Sequence, residues 1–147
     1  MKFVLALIAA LTGAGLTIQV GMNAAVRTAL GSPLLAALAN FLVGLVALVA
    51  LTLASGVRWP SAANLAGVPV WAWLAGLLGV NYIVATTILG PRLGAAALIA
   101  LTVLGQLLAA LLVDHYGVLG FPQNTITPMR LLGAVLLVVG VLLIVRR

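Results

Sequence analysis

Five long apolar runs make up most of the chain, and each is broken by a short stretch where Gly, Pro, Ser and Arg gather. The runs cover about residues 3–26, 34–54, 70–89, 93–113 and 129–145. At ~1.5 Å of rise per residue, about 20 residues match a hydrocarbon core of ~30 Å, so the pattern predicts five membrane-spanning helices. Arg27 and the Gly31-Ser32-Pro33 turn end the first run, and Pro33 suits the first turn of the next helix, where its missing N–H costs nothing. Ser55 to Pro60 closes the second run. The segment Ser61 to Pro69 is too short and too broken to span, which predicts an interfacial connection. Gly90-Pro91-Arg92-Leu93-Gly94 predicts a tight turn between the third and fourth spans. The longest polar stretch ends in Thr127-Pro128, an N-cap followed by a first-turn proline.

Polar residues inside the runs are few and patterned. On a helix turning ~100° per residue, Thr12, Gly15, Gln19 and Asn23 fall on one stripe of the first span. Ala10, Ala14, Thr17, Gly21 and Ala24 fall on the opposite one, a surface trimmed for close helix packing. Thr102, Gln106 and Ala110 form a second small-polar stripe on the fourth span, while Asn40 and Tyr82 mark the second and third. An unpaired amide costs roughly 4–8 kcal/mol in an alkane-like medium, so these groups must face protein, water or a ligand. Two readings stand side by side: interhelical glue, worth under ~2 kcal/mol per bond, or the lining of a substrate path. On the second, Gly15, Gln19, Asn23, Asn40, Tyr82 and Gln106 are the candidate substrate-binding residues, and Gln19, Asn23 and Gln106 are expected to share one polar cavity.

Composition turns this picture into a class. Sixty-five per cent of the 147 residues are hydrophobic and 5% are charged, against roughly a quarter charged in a soluble domain. The expected fold is all-α, a single polytopic membrane domain of five helices. The N-terminus imitates a signal peptide, yet no small-x-small cleavage site closes it and the apolar run continues, so a retained first span is expected. Trp59, Trp71 and Trp73 surround the interfacial connection, where amphipathic rings belong. Without cysteine there is no disulfide or thiolate chemistry.

The formal charge of +6 is no nucleic-acid signal, because the basic residues are spread over the ends of apolar runs and form no patch or stripe. Five spans put Lys2, Arg58 and Arg130 on one side and Arg27, Arg92, Arg146 and Arg147 on the other. Lys and Arg near span ends set orientation, and a difference of one is close to no bias. If both orientations insert, two copies can meet head to tail and create the inverted repeat that larger transporters carry in one polypeptide.

The residues Gly13-x-Gly15, Gln19, Asn23, Gly31-Ser-Pro33, Asn40-Phe41-x-x-Gly44, Trp73-x-x-Gly76-x-x-Gly79 and Pro91-x-Leu-Gly94-Ala95 stand in a recognisable order. With Gly105-Gln106, Asp114-His-x-Gly117-x-x-Gly120 and Arg130-x-x-Gly133, the pattern resembles the bacterial YdcZ family of the drug/metabolite transporter superfamily. The resemblance covers essentially the whole chain, and Gly-Gln followed by Asp-His-aromatic-Gly is its most specific part. It implies a transporter of the bacterial inner membrane. Members occur as single short proteins, as pairs and as fused doubles, which implies an antiparallel two-copy architecture.

Chemistry is sparse. The chain has one acid and one histidine, with no metal-ligand cluster, triad or phosphate loop, so no enzyme, cofactor or metal is expected. The small multidrug exporters of that superfamily use a glutamate in the first span, whereas this chain has no carboxylate within any span. A neutral polar or zwitterionic solute, bound by amides and exposed glycine backbone and carried by alternating access, fits better. Asp114 is the one candidate for proton or cation coupling; against that stands a structural role at the span end, which His115 is expected to share. A dual-topology ion channel and a noncatalytic assembly subunit remain as alternatives. The expected partners are a second copy, the bilayer and a small solute.

Overall fold

The computed structural model describes residues 2–146. Its helices are α1 (Lys2–Leu30), α2 (Pro33–Ala54), α3 (Ala62–Ala66), a 3-10 turn (Val70–Leu74) running into α4 (Ala75–Leu93), α5 (Ala95–Tyr116) and α6 (Pro128–Val145). No strand occurs among the described residues. Among the described residues, five helical segments are long and apolar enough to cross a membrane, with Val70–Leu93 counting as one. The chain divides into two compact units, Met1–Arg92 and Leu93–Arg147.

In the first unit α1 packs on α2. Three residues of local chemistry make the reversal: Gly31 takes φ +71°, the Ser32 hydroxyl accepts from Leu35 N–H, and Pro33 opens the helix. Ala36, Ala37 and Val20 are buried, the small side chains that close approach in lipid favours. The Phe41 ring of α2 lies 3.7 Å from where a side chain on Gly79 of α4 would begin. The connection is short and local: Ser61 caps α3 in a capping box with Asn64, while Trp59, Trp71 and Trp73 stay exposed.

The second unit is a helical hairpin of α5 and α6 whose buried residues are Leu98, Leu111, Ala134 and Val141. Gly117 ends α5 in the left-handed conformation, and the Thr127 hydroxyl caps α6 by accepting from Arg130 N–H.

Three boundaries differ from the sequence expectation, and one is the end of α5, which runs past Val113 to Tyr116 and so takes in Asp114 and His115. α1 runs on through Arg27 to Leu30, giving about 43 Å at ~1.5 Å per residue and so more than a bilayer core requires. The stretch Gly90 to Gly94 is no loop: α4 stays helical through Pro91 to Leu93, and Gly94 alone, at φ +81°, separates it from α5. A proline near a helix end removes one backbone donor without ending the helix outright.

Threonine hydroxyls in the spans are mostly spent locally. Those of Thr12, Thr17, Thr28, Thr52, Thr86 and Thr102 each donate to a carbonyl one turn back. Thr87 is the exception.

Candidate functional site

Gln19, Asn23 and Arg27 follow each other at four-residue steps and share one face of α1. Opposite them, α2 presents Asn40. Gln19 Nε2 donates to Asn40 Oδ1 at 3.2 Å, joining the helices through side chains that are both half-buried. One bond uses one donor and one acceptor. It leaves Gln19 Oε1 and Asn40 Nδ2 without a partner among the described residues.

Two adjoining cavities open along this pair. One, of about 550 Å³, is walled by Phe41, Val43, Leu45 and Leu48 with Gln19, Asn40 and Gly44. The other, of about 360 Å³, adds Met22, Asn23, Val26 and Ala39 around the same Gln19, Asn40 and Val43. Gly44, one turn beyond Asn40, helps keep the first open, since nothing lies within 4 Å of where a side chain would begin. Apolar walls with a few convergent polar groups, at this volume, are what small-molecule sites share.

Asn23 sits deeper than Gln19. It is 4% exposed, and its Nδ2 has no hydrogen-bond partner. One turn further along α1, the half-buried Arg27 donates from Nη1 to the carbonyl of Thr87 on α4 at 3.0 Å. Thr87 is fully buried and its hydroxyl is likewise unpartnered.

The structure therefore gathers Gln19, Asn23 and Asn40 in one groove. Gly15, on α1, and Tyr82, on α4, do not line either cavity. Gln106 belongs to α5 in the other unit, where it is exposed and has no hydrogen-bond partner among the described residues. Arg27 and Thr87 were not legible as a pair, because nothing local in the sequence joins residues 60 apart.

Asp114 also lies on α5, in a knot that ties the helix end to the start of α6. Its carboxylate pairs with Arg130 Nη2, and its backbone carbonyl accepts from Asn124 N–H at 2.7 Å. Arg130 Nη1 donates to the Asn124 carbonyl at 2.9 Å. His115 joins through both ends: Nδ1 accepts from Ile126 N–H, and its carbonyl accepts from Gln123 Nε2. Every one of these groups is engaged with its own loop. Among the described residues, no cluster of His, Asp or Glu could hold a metal ion.

Residues 4–143 match the family described as "Putative inner membrane exporter, YdcZ". No curated protein and no solved structure matches the chain. The match spans nearly the whole chain and reaches all five segments long and apolar enough to cross a membrane. The chain belongs to the YdcZ family of the drug/metabolite transporter superfamily and is a multi-pass protein of the inner membrane.

Proposed function

We propose that this chain moves a small polar or zwitterionic solute across the inner membrane by alternating access, working as an antiparallel homodimer of a dual-topology chain. The observation that carries the reading is the Gln19–Asn40 amide pair, which keeps a donor and an acceptor in hand at the junction of two apolar-walled cavities. A purely adhesive pair has no need of an adjoining cavity of several hundred cubic ångströms. The absence of a carboxylate from this unit argues against proton-coupled binding of a cation there.

Two further observations support a second copy. Gln106 stands in mid-span without a partner, and an unpaired amide in hydrocarbon costs several kcal/mol. The basic residues split three to four across the membrane, so neither insertion is favoured.

The test is efflux from proteoliposomes. Vesicles bearing the purified chain are loaded with a bacterial metabolite extract, and the solutes that escape are identified by mass spectrometry. One or a few small polar solutes should leave faster than from protein-free vesicles, with saturable kinetics. Loss that is unselective and does not saturate would point to a channel, and no loss at all to an assembly subunit.

A further inference from the structure

We propose that Asn23, Arg27 and Thr87 form an oxyanion site between α1 and α4, filled by a carboxylate of the carried solute or by the phosphate of a lipid headgroup. Two buried side-chain atoms among the described residues lack a hydrogen-bond partner, Asn23 Nδ2 and Thr87 Oγ1. Both belong to residues tied to Arg27, one by helical position and the other by a backbone hydrogen bond. Asn23 precedes Arg27 by one helical turn on the same face. Thr87 is the residue whose carbonyl holds Arg27 in place.

The three groups have complementary chemistry. An amide NH2 donates, and a guanidinium carries five N–H groups and no acceptor. Among the described residues that guanidinium makes one hydrogen bond, to the Thr87 carbonyl. The Thr87 hydroxyl is the one threonine hydroxyl in the helices that does not turn back on its own backbone. It is therefore free to donate. Donors from three side chains and one positive charge call for an acceptor that is itself anionic.

Nothing in the first unit supplies that anion. The only acid of the chain is Asp114, which lies on α5 and is paired with Arg130. Arg27 is half-buried rather than free in solvent, so water alone answers its charge poorly. Asn23 also lines the smaller cavity beside Gln19 and Asn40. A solute whose polar body rests on the amide pair could thus place its acid at Asn23. For that solute arm the proposal rests on the groove reading above; the lipid arm does not.

The experiment uses the full-length chain purified in a neutral detergent. It is titrated with N-acetylglycine, which joins a carboxylate to an amide, and with its neutral counterpart N-acetylglycinamide, and thermal unfolding reports binding. In parallel, the chain is placed in nanodiscs of the phosphate-free glycolipid digalactosyldiacylglycerol with or without phosphatidylglycerol. N-acetylglycine should raise Tm at about tenfold lower concentration than the neutral amide, or phosphatidylglycerol should raise Tm above the phosphate-free glycolipid alone. Which arm responds identifies the source of the oxyanion. In that arm, Arg27→Gln and Thr87→Val should each weaken the response about tenfold. Thr87→Val removes an unpartnered buried hydroxyl, so its unliganded Tm should not fall, which separates lost binding from misfolding. No response in either arm, equal responses to acid and amide and to both lipid mixtures, or responses that survive both substitutions, overturn the proposal. If it fails while Gln19→Leu still abolishes efflux, the groove reading survives alone. If the oxyanion response persists while Gln19→Leu leaves efflux intact, the site stands and the groove reading falls.

Discussion

Arg27 stands in for a donor that Pro91 does not have. In a regular helix the N–H of residue 91 would bond to the carbonyl of residue 87. Pro91 lies inside α4 and has no N–H, and the carbonyl it leaves open is the one that accepts from Arg27 Nη1. In a membrane span a freed carbonyl must find a substitute partner. Here the substitute comes from another helix, so a proline on α4 fixes a cation of α1.

That linkage predicts a non-additive pair. Arg27→Gln should cost about 1.5–3 kcal/mol in the parent, the range for a hydrogen bond to a charged group. In a Pro91→Ala background the helix supplies its own donor, and the same substitution should cost close to nothing. A double-mutant cycle by thermal unfolding in detergent checks it. Additive costs would mean that Pro91 and Arg27 are independent.

Gln19→Leu should abolish solute efflux while leaving expression and the amount of dimer nearly unchanged. Its partner substitution Asn40→Leu should do the same. If they instead unfold the protein, and a second-site packing change restores efflux, the pair is glue. Efflux and gel filtration on the same preparation give the answer.

Asp114→Asn should weaken folding rather than the pH response. The carboxylate is committed to Arg130, and the loop around it is closed by bonds from Asn124, Gln123 and Ile126. A partly exposed pair of this kind contributes about 1 kcal/mol, seen as a lower Tm. A transport rate whose pH profile vanishes in the mutant would make Asp114 the coupling site after all.

Gly117→Ala should destabilise the hairpin of α5 and α6 by about 1–3 kcal/mol. Gly117 has φ +62°, and a side chain there would begin 2.9 Å from Gln123 Cβ. Both the backbone and the neighbour resist it. Thermal unfolding of the variant, beside a Gly133→Ala control that meets nothing within 4 Å, isolates the effect.

Orientation is the broadest prediction. With reporters active on either side of the membrane fused to the C-terminus, both should score in the parent. One added Lys on either side should tip the balance in opposite directions. Variants locked in opposite orientations should be inactive alone and active together. A parent that reports from one side and functions in that single orientation rules out the antiparallel dimer.

The spans were legible because each depends only on an unbroken apolar run, and the cap at Thr127 because a cap is a local bond three residues long. The face of α1 carrying Gln19 and Asn23 followed from helical periodicity alone. What could not be read was every pairing across helices. Asn40 was visible as an amide in a span, yet its bond to Gln19 joins residues 21 apart. Pro91 looked like a turn because proline and two glycines stood together, although only Gly94 breaks the helix. Its true role emerges only when α1 is laid beside it.

The amide pair at the groove has one more property. Each carboxamide head carries a donor and an acceptor on a single flat plate. A half-turn of both heads reverses which residue gives the proton and which receives it, without moving either helix. The free positions then exchange as well: an acceptor on α1 and a donor on α2 become a donor on α1 and an acceptor on α2. A lining of this kind has no fixed polarity. It should discriminate by size and by the presence of some hydrogen-bonding edge, and tolerate either sense of that edge.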